Sequence, residues 1–248
     1  MSDERHKQQD DVPSGDDKAP LRALESAESY VAASAKAGCS GDGSGASFSA
    51  SFEAILSWGE ANALIQPEGE FAFFKRAPDG AGDEHQAWFD EVSNRWFKAT
   101  YCNQFGLAWG RRGSATAGEY LTRLVLQNRY FGDDLQLVAL VSSRQKLRVL
   151  TSQPHVAGEA AAYEDIQKWF CGLGFLRVED GGSCAWYREP ENLLVADAHE
   201  GNVIQTGAGA LVPIDLNIVQ PSGEVLAWLV SVLGGSGAAT ASGAAGSA

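Results

Sequence analysis

The chain lacks several things that would narrow its chemistry quickly. Its four cysteines, Cys39, Cys102, Cys171 and Cys184, include no C-x-x-C pair, and only four histidines occur in 248 residues. That argues against a zinc centre and favours reduced thiols in a cytoplasmic setting. No H-E-x-x-H is present for a metallopeptidase, and no G-x-S-x-G for a hydrolase elbow. The start, MSDERHKQQDD, has no apolar stretch of the secretory kind. The longest apolar run, VLAWLVSVL, is about half of what a membrane span requires. Positive charge is scarce too: the net charge is −13. Broad binding to nucleic acid or to an anionic membrane is therefore not expected.

What the chain does have is apolar bulk. Hydrophobic residues make up 44%, with seven Trp and eleven Phe, enough for a sizeable core. Residues 1–46 are polar, acidic and rich in Ser, Gly and Ala, and read as disordered. Residues 234–248 are low-complexity Gly/Ala/Ser and read as a flexible tail. Between them the pattern is legible. Phe48, Phe52, Ile55 and Leu56 fall at helical spacing. HQAWFD and RWFKAT flank the turn EVSN and predict a hairpin. Thr116 and Glu119 form a capping-box pattern ahead of a helix carrying Leu121, Leu124 and Val125. LQLVALV and KLRVLTS predict a second hairpin, ended by Pro154. Tyr163, Ile166, Trp169 and Phe170 predict a helix stopped at Gly172 and Gly174. LLVAD, NVIQT and ALVPID read as short strands. Strands and helices do not alternate regularly, so the class is α+β rather than doubly wound α/β.

The chemistry concentrates in VADAHEGNVIQTGAGALVPID. Asp197 and Asn202 fit D-x-x-x-x-N. One tight turn, permitted by Gly201, can aim both into a single site. Asp215 follows Asn202 by thirteen residues across a hairpin turned at GAG, which returns the chain beside its start. A carboxylate near an attacking hydroxyl and oxygen ligands for magnesium are what phosphoryl transfer needs. Each residue also has a plainer reading. Asp197 and Asn202 can be turn residues bonding their own backbone. His199 can bond a backbone group in the loop or touch substrate. Arg111 and Arg112 read as solvated surface, or as a contact for an acidic substrate.

DAHEGNV and LVPID are similar to the D-x-H-x-x-N and I-D motifs of aminoglycoside- and choline-kinase-like enzymes. With RWFKAT, EYLTRLVLQNRYFGDD, LTSQP and WYR, they resemble more closely the kinase-like domain of polyvalent proteins of phages and conjugative elements. The resemblance spans roughly residues 82–221. It implies a compact two-lobed protein-kinase-like fold that binds ATP and magnesium. It divides the chain into an N-lobe and hinge at 47–158 and a truncated C-lobe at 159–233. By this resemblance Lys98 holds the α/β-phosphates and Asp197 receives or orients the acceptor hydroxyl. Asn202 and Asp215 ligate magnesium, Gln153 to Val156 lie near adenine, and Glu119 pairs with Lys98. Local physics gives Lys98 and Glu119 competing jobs, as the polar residue of an alternating strand and as a helix cap. The glycine loop departs from the family: only Gly80 and Gly82 precede HQAWFD, and Asp83 and Glu84 follow them. Backbone amides near Gly82 are the remaining phosphate donors, and the acidic pair must face away or bind metal. Nineteen residues after Asp215 the tail begins, so no full activation segment and no later helices are expected. The implied function is a phosphotransferase of unknown acceptor, an effector of a mobile element. The alternative is an inactive nucleotide-binding or interaction module.

Overall fold

A computed structural model describes residues 19–38, 48–109, 114–143, 146–180 and 183–241. It begins with helices α1 (Ala19–Gly38) and α2 (Phe48–Ala61), then β1 (Ile65–Pro67) and two single-turn 3-10 helices. A hairpin run follows: β2 (Gly80–Ala81), β3 (His85–Asp90) and β4 (Arg95–Thr100). Helix α3 (Ala117–Phe131) leads into β5 (Gln136–Ser143) and β6 (Lys146–Pro154). Next come β7 (Gly158–Ala160), α4 (Tyr163–Gly172), β8 (Leu176–Asp180), β9 (Ser183–Arg188) and β10 (Leu193–Ala196). The described part closes with β11 (Val203–Thr206), β12 (Leu211–Pro213), β13 (Asn217–Val219) and α5 (Gly223–Ala241). The α+β class and both expected hairpins are present.

Six strands form one sheet in the order β1-β5-β6-β4-β3-β2, antiparallel except for the β1–β5 pair. Alternation sends Leu140 and Val149 to one face and Val141 and Leu150 to the other. On the first face lie α1, α2 and α3, through Leu24, Val31, Ile55, Trp58, Tyr120, Leu121 and Leu124. The opposite face is covered by Phe71, Phe73 and Phe74 against Trp88 and Phe97. Helix α3 serves two cores, because Leu126, Tyr130 and Phe131 turn toward Phe170, Phe175, Trp186 and Leu216. That second core joins α4 to a four-stranded sheet, β13-β10-β9-β8, and a three-stranded one, β12-β11-β7.

Two expectations are corrected. Residues 19–38, expected to be disordered, form α1, and Leu24, Ala27 and Val31 are almost fully buried. These recur at a helical interval inside an otherwise polar segment, so average composition hid a stripe that packs on α3. Trp58 Nε1 donates to Ser26 Oγ at 3.2 Å and Thr122 Oγ1 to Glu28 Oε1 at 3.0 Å, tying α1 to its neighbours. The expected absence of a later helix also fails. α5 follows β13, burying Leu229 against Val178, Ala185 and Leu194 and setting Trp228 edge-on to Trp109. It takes in the first residues of the expected flexible tail. Residues 1–18, 39–47 and 242–248 lie outside the described residues, as do Arg111 and Arg112.

Candidate functional site

Lys98 sits near the middle of β4, opposite Ala87 of β3 on one side and Thr151 of β6 on the other. Small neighbours leave its side chain room to extend. Its Nζ donates to the Ile214 carbonyl at 3.1 Å and stands 3.8 Å from Asp215 Oδ2. The two residues are far apart in sequence, and the lysine is largely buried while the carboxylate is about half exposed. Burial alone would raise the Asp215 pKa. The positive charges of Lys98 and Arg123 outweigh it and hold the carboxyl below its usual range. The cavity behind the pair, about 10 Å³, has room for about one water.

The second part of the site is the loop after β10. Leu193, Leu194 and Val195 are fully buried, and the strand delivers Asp197 at its end. Asp197 takes φ +60°, a left-handed conformation costing about 1–3 kcal/mol in general, though Asp tolerates it better than most residues. Asn202 Nδ2 donates to the Asp197 carbonyl at 2.9 Å and to its Oδ2 at 3.0 Å. That leaves the Asn202 amide oxygen as the atom suited to a cation. His199 Nδ1 accepts from the Gly201 N–H at 3.0 Å, so the neutral ring carries its proton on Nε2, which lies 3.3 Å from Asp197 Oδ1. A Cβ on Gly201 would come within 2.9 Å of this ring, so a larger residue there would displace the His199 side chain. The Ile214 N–H donates to the Asn202 carbonyl at 2.9 Å, and β11 and β12 pair in register beyond it. The hairpin thus brings Asn202 and Asp215 together, with Ile214 rather than Asp215 opposite Asn202.

Three sequence-predicted residues do other work. Glu119 completes a capping box: it accepts from the Thr116 N–H at 2.7 Å while Thr116 Oγ1 accepts from the Glu119 N–H at 3.2 Å. The Gly82 N–H donates to the His85 carbonyl at 3.0 Å, so this amide is committed to the turn. Gln153 donates from Nε2 to Asp133 Oδ2 at 2.5 Å. Of its neighbours, Pro154 has no N–H and His155 spends its own on the Asn94 carbonyl at 3.0 Å. Val156, half-buried, is left to offer an amide in that segment.

The wall behind Lys98 was missed in the sequence. Glu84 turns inward and forms a two-pronged pair with Arg123 of α3, at 3.0 and 2.5 Å, while also accepting from the Leu107 N–H at 2.7 Å. Burial pushes the Glu84 carboxyl up, but Arg123 and the Leu107 amide bring it below its ordinary value. His85 shares a 2.9 Å hydrogen bond with Tyr120 Oη, and burial pushes its pKa down from 6.5 to about 4. Tyr120 is raised by burial. Gln127 donates to Asp133 Oδ2 at 2.7 Å and accepts from the Leu216 N–H at 3.3 Å, bracing the residue after Asp215. Burial raises the Asp133 carboxyl despite bonds from Gln127, the Asp134 amide and Gln153. The available signal was Arg123 and Gln127 standing on the same α3 stripe as Tyr120 and Leu124.

A magnesium ion fits this donor set modestly. Asp215 supplies a carboxylate and Asn202 an amide oxygen, and magnesium ordinarily completes its shell with waters and substrate phosphates. Among the described residues no group of three or more His, Cys, Asp or Glu gathers closely enough to hold a metal.

Residues 108–219 match the model of a protein family described as serine/threonine/tyrosine kinases found in polyvalent proteins. The match takes in α3, Asp197, Asn202 and Asp215 and leaves Lys98, Glu84 and His85 outside. It covers a little under half of the chain and marks that segment as kinase-like. Neither the curated proteins nor the solved structures include a match.

Proposed function

We propose that this protein is a two-lobed, kinase-like phosphotransferase that uses ATP and magnesium and acts on an acceptor hydroxyl. The observation that carries the reading is the meeting of Lys98 and Asp215, 3.8 Å apart, beside the loop that ties Asn202 to Asp197. Phosphoryl transfer asks mainly for positioning and charge stabilisation. Lys98 supplies a fixed positive charge for phosphate oxygens, kept in place by the Ile214 carbonyl. Asp197, oriented by Asn202 and His199, accepts or aligns the hydroxyl proton of the acceptor. Magnesium, when bound by Asp215 and Asn202, neutralises charge on the phosphates. Glu84 faces Arg123, which removes its repulsion from the phosphate side. The first lobe extends from α1 through β6, and the second from β7 through α5. Action in the cytoplasm as an effector of a mobile element is part of the same proposal.

The test is calorimetric titration of magnesium and ATP into wild type and Asp215→Ala, with transfer followed by mass spectrometry. Loss of binding and transfer in the variant is expected. Unchanged affinity and turnover would overturn the assignment. A second reading, a nucleotide-binding module without turnover, is favoured by the committed Gly82 amide and the small cavity at Lys98. A thermal shift with ATP unaccompanied by phosphate transfer selects it.

A further inference from the structure

A sheet edge presents N–H and C=O groups without partners, and proteins ordinarily blunt it with short strands or proline. Most sheet edges among the described residues are blunted in this way. β1, β7, β12 and β13 have three residues each and β2 has two. β1 and β12 also end in proline, at Pro67 and Pro213. The edge strand β8 differs. Its five residues, Leu176–Asp180, pair with β9 in unbroken register, without a bulge or a proline. Among the described residues no strand and no backbone hydrogen bond meets its outer side. Val178 points under α5, buried against Leu229. Leu176 shares that face by alternation, yet is 58% exposed. Arg177 and Glu179 share the other face, pair with each other and are both exposed.

We propose that β8 is a self-complementary dimer interface, at which two copies of this chain join edge to edge about a two-fold axis at Val178. The charge pattern selects both partner and register. An antiparallel copy of β8 centred at Val178 sets Arg177 opposite Glu179 of the second copy, and Glu179 opposite its Arg177. Centring at Arg177 or at Glu179 sets like charges opposite each other instead. Charges that repel most strands therefore fit the chain's own copy. Leu176 then lies diagonally across from Val178 of the second copy. The two four-stranded sheets become one, and their outward N–H and C=O groups pair across the axis. Both α5 helices come to lie on the same face of that sheet. α5 packs over β8 and leaves Leu226, Val230 and Leu233 exposed at helical spacing along one flank, Val230 by 62%. This flank adds apolar contact to the strand pair. Such an isologous contact closes on itself and stops at two copies. It is independent of the chemistry at Lys98.

The experiment is analytical ultracentrifugation of the full chain over a concentration series, with a melting curve for each variant. Wild type should pass from monomer to dimer with a Kd on the order of micromolar. Arg177→Glu and Glu179→Arg each set like charges opposite each other in the homodimer, and each should weaken it roughly 10- to 100-fold. Their melting temperatures should stay near wild type, because both side chains are exposed and an exposed ion pair contributes little to folding. An equal mixture of these two variants sets opposite charges across the axis again and should form a mixed dimer at least as tight as wild type. The double variant Arg177→Glu/Glu179→Arg should likewise recover self-association. A wild type that stays monomeric throughout the series overturns the interface. A dimer whose affinity is unchanged in both single variants overturns it as well, since the copies would then meet elsewhere. So does a mixture of the two that remains monomeric.

Discussion

Arg123 exposes 7% of its side chain and Glu84 16%, whereas Asp197 and His199 expose 60% and 51%. The wall behind Lys98 and the loop around Asp197 thus stand under opposite conditions. Inside the wall, charges are desolvated and held by paired partners. On the loop, the polar groups keep water as an alternative partner and are shaped by short local bonds and a strained backbone. A desolvated pair is costly to break because the survivor stays buried. An exposed carboxylate loses little by substitution except the chemistry it performs. The wall should answer mutation in stability, and the loop in activity.

The largest effect expected is on the wall. Arg123→Ala leaves the Glu84 carboxylate buried without its two-pronged partner, and a loss of about 3–5 kcal/mol in urea unfolding is expected. Much of it should return in Glu84→Gln/Arg123→Met. A loss under ~1 kcal/mol would erase the contrast. Next comes the helix behind the wall: Leu24→Ala should cost about 2–5 kcal/mol, because Leu24 is fully buried in the core shared with α3. An unchanged melting temperature would show that α1 does not contribute to that core. The third test uses pH. His85 titrates near 4 in the fold against 6.5 ordinarily, so between those values the unfolded chain holds a proton that the folded chain refuses. Its contribution is complete above pH 6.5 and is lost as pH falls to about 4, up to about 3 kcal/mol in all. His85→Gln should flatten that slope in unfolding curves taken across the window. Smallest in stability is Asp197→Asn, expected within about 0.5 kcal/mol of wild type because Asn tolerates positive φ. Phosphate transfer should nevertheless disappear. A large stability loss there would place the loop among the structural elements.

The legibility of the sequence followed the same divide. β3, β4, β5 and β6 were readable because period-2 patterns with clear turn residues have few alternative folds. The Thr116–Glu119 box was readable because capping is local. The nearness of Asn202 and Asp215 in the chain path was readable because a single hairpin sets their spacing. Arg123 was not. A charged residue on a helix usually points to water, and its partner Glu84 lies 39 residues earlier. Gln127 was hidden likewise, since its bond to Leu216 spans 89 residues. α1 escaped because its apolar stripe is only Leu24, Ala27 and Val31 among polar neighbours. α5 escaped because glycines and alanines beyond VLAWLVSVL suggested an ending where the helix continues.

The residues on either side of Asp215 are both pinned from far upstream: Ile214 by Lys98, across 116 residues, and Leu216 by Gln127. Closing such long loops costs entropy that only late contacts repay. In the life of the chain, the site is therefore an event of completion. While synthesis proceeds, Lys98 is present on its strand for well over a hundred residues before the carboxylate that faces it exists. The moment at which residue 216 joins the fold is the moment at which the two ends of the site first meet.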